Sequence, residues 1–111
     1  MLPPSSRDVF AAVGDPTRRR VLDLLRRGEL PVRRIAAPFA VTRPAISQHL
    51  RILREAGLVR VRRQGRERRY RLRGEQLRTV YVWVGHYERF WTEKLHALGA
   101  CLDADAAGET E

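Results

Sequence analysis

Between residues 42 and 73 the spacing of apolar side chains changes period once, and that change limits what the chain can fold into. Ile46, Leu50 and Leu53 recur at helical spacing behind Thr42, a helix-capping residue, with Pro44 in the first turn where an amide would be free anyway. Gly57 ends that pattern, and from Leu58 the period becomes two. Val59 and Val61 alternate with Arg60 and Arg62, then Tyr70 and Leu72 alternate with Arg69, Arg71 and Arg73. Two strands joined through Arg63-Gln64-Gly65-Arg66-Glu67, with a glycine available for positive φ, read as a hairpin with an arginine-studded tip.

The flanks of this unit read as helices. Ser6 is placed to cap a short helix carrying Val9, Phe10 and Val13 and ended by Gly14. Asp15-Pro16 restarts the chain as a second helix, whose Val21, Leu22 and Leu25 face inward until Gly28. Val32, Ile35, Ala36 and Phe39 make the stripe of a third, which Pro38 is expected to end or kink near Ala37. Val80, Trp83, Val84, Tyr87, Phe90, Trp91, Leu95, Leu98 and Leu102 recur every three or four residues and predict one long last helix. The ends, 1–6 and 103–111, are rich in small and polar residues and are expected to be disordered, leaving a single domain over 7–102. The expected fold is mainly α with a small β-hairpin, in the order α-α-α-α-β-β-α.

Charge is distributed as unevenly as shape. Residues 42–73 hold eleven arginines and only Glu55 and Glu67 as acids, so this segment carries the whole formal net charge of +9. Lys94 is the only lysine, and the planar fork of Arg suits phosphates and guanine edges. Even spreading would serve solubility equally well, so the concentration points to a footprint on a nucleic acid. The longest apolar run, Val80 to Gly85, is far short of the ~20 residues of a membrane-spanning helix. With no apolar signal-like stretch at the start and a single cysteine, a cytoplasmic location is expected.

A capped helix polar on its outer face, preceded by another helix and followed by a basic hairpin, has the order of a winged helix-turn-helix. Arg43, Ser47 and Arg51 lie one turn apart opposite the Ile46, Leu50 and Leu53 stripe, with Pro44 and Gln48 beside them. In a major groove Arg43 is suited to guanine, Gln48 to adenine or the backbone, and Ser47 to a base or phosphate. Thr42 caps the helix beside a phosphate, and His49 packs on the core or bonds a phosphate. Arg62, Arg63, Arg66 and Arg68 on the hairpin are expected on the backbone or in the minor groove.

Asp15-Pro16-Thr17-Arg18, the run Thr42 to Leu50, Leu53-Arg54-Glu55-Ala56-Gly57-Leu58-Val59 and the hairpin from Gly65-Arg66 to Tyr70-Arg71-Leu72 together resemble the ArsR family of bacterial transcriptional regulators over roughly residues 8–100. The resemblance implies a homodimeric repressor of an inverted-repeat operator on double-stranded DNA, released by an inducer and dimerising through its first and last helices. On that basis Val9, Phe10, Val80, Trp83, Val84, Tyr87, Phe90, Trp91, Leu95 and Leu98 are the expected dimer interface. The aromatic density of the last helix supports the same reading independently, being more apolar surface than so small a domain can easily cover.

Many members of this family sense metals through cysteines in the third helix, yet Leu30 to Ile35 contain none. A second family pattern, Asp and His one turn apart and then His and Glu on the last helix, is not reproduced by His86, Glu88, Glu93 and His96. No metal or cofactor is therefore expected, and the inducer is unassigned; a nonstandard metal-responsive site would have to use His86, His96 and Cys101 across a dimer. Ala40 stands where the family usually has glycine in the helix-turn-helix turn, which predicts another turn geometry. Without a phosphate loop or a convergent nucleophile and base, no enzymatic activity is expected. The remaining alternative, nonspecific nucleic-acid or RNA binding, would need Tyr70 as a stacking platform, whereas alternation turns it toward the core.

Overall fold

Asp15 joins the first two helices. In the computed structural model, which describes residues 4–109, α1 spans Pro4–Val13 and α2 spans Pro16–Leu25. The Asp15 carboxylate accepts the Arg18 amide at 3.0 Å, capping α2, and Pro16 fills the first turn. The Arg18 guanidinium turns back to donate to the carbonyls of Ala12 (2.8 Å) and Ala11 (3.1 Å), and Arg19 donates to that of Val13 (2.7 Å). The open C-terminal carbonyls of one helix are thus satisfied by cations of the next.

That amide bond, more than any nearby charge, holds the Asp15 carboxyl below its ordinary pKa. Asp15→Ala is expected to cost about 1 kcal/mol, read as a lowered Tm at neutral pH. A depressed folded pKa adds stability above the unfolded value and loses it as pH falls through the folded one. The difference between wild type and variant should therefore shrink below about pH 4.

Beyond Gly28, whose φ is +146°, come the short strand β1 (Leu30–Pro31), α3 (Val32–Ala36), α4 (Arg43–Glu55) and the hairpin β2 (Val59–Gln64) and β3 (Glu67–Leu72). The last helix turn before Pro38 closes at Ala37, as its missing amide requires. No described non-glycine residue has positive φ, so Ala40 makes the turn without a left-handed conformation. Thr42 caps α4 by accepting the Ala45 amide at 3.3 Å. Gly57, at φ +78°, lets the chain leave α4 for β2.

Ile46, Leu50 and Leu53 of α4 are fully buried, together with Val9 and Ala12 of α1, Val21 and Leu25 of α2, Ile35 of α3, and Leu58. Full burial of such aliphatic side chains contributes about 1.5–3 kcal/mol each, which fixes α4 on its inner face and leaves the outer face free. Tyr70, at 7% exposure, closes this core from the sheet and is no stacking platform.

Four features differ from the sequence expectation. Helix α1 begins at Pro4, so Ser6 lies inside it and is not its cap. The sheet has three strands in the order β1-β3-β2, because Leu30 and Pro31 pair with Tyr70 and Arg69; two residues are too few to show a period. The last helix is two: after a 3-10 turn (Gly74–Leu77), α5 spans Arg78–Gly85 and α6 spans Glu88–Glu109. At the break the amides of His86 and Tyr87 bond the carbonyls of Trp83 (3.1 Å) and Val84 (2.9 Å) three residues back, in the tightened geometry of a helix end at a poor helix former, Gly85. Finally, α6 runs through 103–109, where a disordered tail is expected; the alanines at 104, 106 and 107 have the highest helix propensity. The expected disorder of 1–3 and 110–111 lies outside the described residues.

The chain divides into two units, Met1–Val80 and Tyr81–Glu111. The first holds the core just described. In the second, every residue from 81 to 98 is exposed, and no side chain with described burial is buried. No described helix is long and apolar enough to cross a membrane.

Candidate nucleic-acid interface

The register of the hairpin sorts its arginines between two faces. Val59 faces Leu72, Val61 faces Tyr70 and Arg63 faces Arg68, all on the side turned to the core; Arg60 opposite Arg71 and Arg62 opposite Arg69 lie on the reverse side. Gln64 and Glu67 pair across the tip, leaving Gly65 (φ +64°) and Arg66 as a two-residue turn of the kind that needs positive φ at its first position. Arg63 and Arg68 therefore continue the core face beyond the core, toward the exposed side of α4.

There they meet the exposed face of the helix. A groove of about 600 Å³ runs between α4 and the hairpin, lined by Arg43, Ser47, Arg51 and Arg54 from the helix and by Arg63, Arg66 and Arg68 from the wing. Arg33 of α3 completes the set, so seven arginines face one groove whose only carboxylate is Glu67. Glu67 is itself engaged by Arg33 at 3.1 Å and by Arg69 at 3.3 Å, and Arg51 pairs with Glu55 at 3.1 Å one helical turn on. The other groove arginines extend into solvent without a carboxylate among the described residues. A concave surface bearing this much positive charge beside an exposed helix N-terminus suits a polyanion with a groove of its own.

Of the residues singled out from sequence, Arg43, Ser47, Arg51, Arg63, Arg66 and Arg68 are brought together here. Thr42, Pro44 and Gln48 are exposed on the first turns of α4 but do not line the groove. Two other residues from that set do not line the groove. His49 turns away from the groove: its Nδ1 lies 3.3 Å from an Arg18 amino group and 3.9 Å from the Asp15 carboxylate, docking α4 onto the start of α2. Arg62 is on the reverse face, where Glu29 accepts from its Nε at 3.2 Å and from its Nη2, and accepts from Arg69 at 3.0 Å. Those bonds, Arg62 foremost, hold the Glu29 carboxyl below its ordinary pKa and tie the wing to the segment before β1.

Sequence reasoning missed Arg33 and Arg54. Arg54 carries a readable signal, falling one turn beyond Ser47 and Arg51 on the same helix face; Arg33 has none, because only the packing of α3 beside α4 and the sheet brings it near.

The expected dimer residues also divide. Val9 is fully buried within the chain and has no surface to offer, a correction that follows from its place against α2 and α4. Val80 is partly buried against the same core. Phe10, Trp83, Val84, Tyr87, Phe90, Trp91, Leu95 and Leu98 are exposed, Phe90 and Trp91 to 50% and 55%. Within one chain the described residues hold no group of three His, Cys, Asp or Glu able to bind a metal; Cys101 is exposed.

Residues 15–61 match the model of the family described as bacterial regulatory protein, arsR family. The transcriptional repressor SdpR of Bacillus subtilis is 39% identical over 77 residues, 69% of this chain and 86% of that one. The HTH-type transcriptional regulator Rv2034 of Mycobacterium tuberculosis is 36% identical over 96 residues, covering 86% and 87%. A solved ArsR family transcriptional regulator superposes with a TM-score of 0.72 at 33% identity, covering 83% of this chain and 95% of its own. A second, described as a possible transcriptional regulator for arsenical resistance, gives 0.65 at 44% identity over 81% and 91%. The capped helix α4 and the turn before it lie within the family match, and the chain belongs to the ArsR family of winged helix-turn-helix transcriptional regulators.

Proposed function

We propose that this protein is a homodimeric repressor that binds an inverted-repeat operator in double-stranded DNA and works without the family's usual metal-sensing sites. The observation that carries the reading is the arginine-lined groove between α4 and the wing. A major groove admits one α-helix, and the first turns of α4 bring Arg43, Ser47 and Gln48 to the base edges while Thr42 and Pro44 lie beside the backbone. Arg63, Arg66 and Arg68 approach the backbone or the minor groove. Two copies joined through the exposed apolar faces of α5 and α6, and through Phe10 of α1, present two such helices about one helical turn apart, and the bound dimer blocks the promoter sterically.

Selection of bound sites from random duplex DNA, with metal-free protein at physiological salt and again with Zn²⁺ and with chelator, tests this directly. One inverted repeat recovered in all three conditions supports the proposal. Recovery without sequence enrichment would point to nonspecific binding, and a palindrome lost only with zinc would implicate His86, His96 and Cys101. The wing's role has its own signature: Arg66→Ala is expected to make the log–log salt dependence of binding shallower by about 0.9 for one lost phosphate contact, with the preferred sequence unchanged. Titrations of the selected duplex across a salt series measure it.

A further inference from the structure

The eleven arginines of residues 42–73 fall into three groups. Six line the groove. Three others have carboxylate partners: Arg62 and Arg69 share Glu29, and Arg73 bonds Glu75 at 3.1 Å. Arg60 and Arg71 remain. They face each other directly across β2 and β3 on the reverse side of the wing, both exposed, and no ion pair among the described residues reaches either one. Like charges directly opposite on a sheet are destabilising. The same face supplies a carboxylate to the next like-charged pair along, Arg62 opposite Arg69, and none to this one. Arg60 and Arg71 thus form a cationic pair on the outer face of a ribbon whose inner face packs on the core at this level and reaches the groove further along, at Arg63 and Arg68.

We propose that Arg60 and Arg71 bind the phosphate backbone of DNA flanking the operator, a second contact on the reverse face of the wing. This deepens the operator reading and rests on it. Two things favour DNA as the occupant. The pair belongs to the same two-stranded wing that supplies Arg63 and Arg68 to the groove, Arg60 lying three residues, about 10 Å, before Arg63 along β2 and on the opposite face. A duplex that places one backbone against the inner face and tip of the wing also carries further phosphates every 3.4 Å along each strand to meet the outer face. The guanidinium pair then gains the counter-charge that the chain itself withholds, and the planar fork of Arg is suited to phosphate oxygens.

The test uses the full chain and the duplex selected by the wild type, once trimmed flush to its recognised sequence and once extended by about one helical turn on each side. Salt titrations compare wild type with Arg60→Gln/Arg71→Gln. On the extended duplex the variant should lose about 0.9 of log–log slope for each phosphate contact removed, up to about 1.8 per protomer. On the trimmed duplex the two proteins should bind alike, whereas Arg66→Ala should lower the slope on both. Equal slopes on the extended duplex overturn the proposal. So does an equal loss on both lengths, which would mark a diffuse charge effect without a flank contact. Failure of the underlying reading is distinct from either: the wild type would then select no sequence at all.

Discussion

Arg43→Ala is expected to relax the sequence preference of this protein more than any other single change in the groove. Arg43 is the first residue of α4, directly after the Thr42 cap, with its side chain exposed, and in the proposed complex that helix end enters the major groove first. A bidentate arginine–guanine pair contributes about 1–3 kcal/mol of discrimination, so affinity for the selected duplex should fall roughly 5- to 150-fold while affinity for mismatched DNA changes little. The ratio of the two affinities at fixed salt is the measurement. Arg66→Ala provides the contrast, because a phosphate contact carries no sequence information and its loss should weaken all duplexes together. If both variants weakened every sequence equally, Arg43 would be a second backbone contact and the reading face of α4 would have to be sought elsewhere.

Breaking the proposed dimer is expected to have the largest effect on operator binding. Phe90 and Trp91 are half exposed on the first turn of α6, their rings 5.4 Å apart and nearly perpendicular. Large aromatic side chains dominate interface energetics, and a charge placed among them is left desolvated without a partner. Phe90→Glu/Trp91→Glu should therefore sediment as a monomer, and the wild type as a dimer. Loss of the second half-site contact removes an avidity of about 10²- to 10⁴-fold on the full palindrome. Affinity for an isolated half-site should hardly change, because both residues lie in the unit from Tyr81 onward and none of the groove does. A variant that stayed dimeric and bound normally would refute this assignment of the interface.

The parts of the fold that could be read from the sequence are those set by local rules. Asp15 and Thr42 both cap helices, with prolines in the first turns behind them, because an N-cap needs only its own side chain and an amide three residues on. Pro38 stops α3 through its own missing donor. The inward Ile46, Leu50 and Leu53 and the alternation of β2 and β3 follow from the periods of helix and strand, as does the side of the hairpin on which each arginine falls. Where the local signal was weak, the reading failed: β1 is two residues long, and the break between α5 and α6 has only Gly85 to announce it.

Partnership was decided by the tertiary structure. Arg62 and Arg63 are neighbours of one kind in the sequence, yet one is held by Glu29, 33 residues away, and the other opens into the groove. His49 sits among the exposed polar residues of α4 but is claimed by Arg18, 31 residues earlier. Val9 and Phe10 are adjacent and apolar, and packing buries one completely and leaves the other exposed. Arg33 joins the groove only because α3 lies beside α4 and the sheet. The sequence by itself thus determined the helix-turn-helix, the wing and the segment that carries the charge, since caps, turns and periodicities act over a few residues. Which charges stay free to meet an anion depended on carboxylates brought near through space, and Coulomb attraction follows distance in the folded chain with no regard for separation along it.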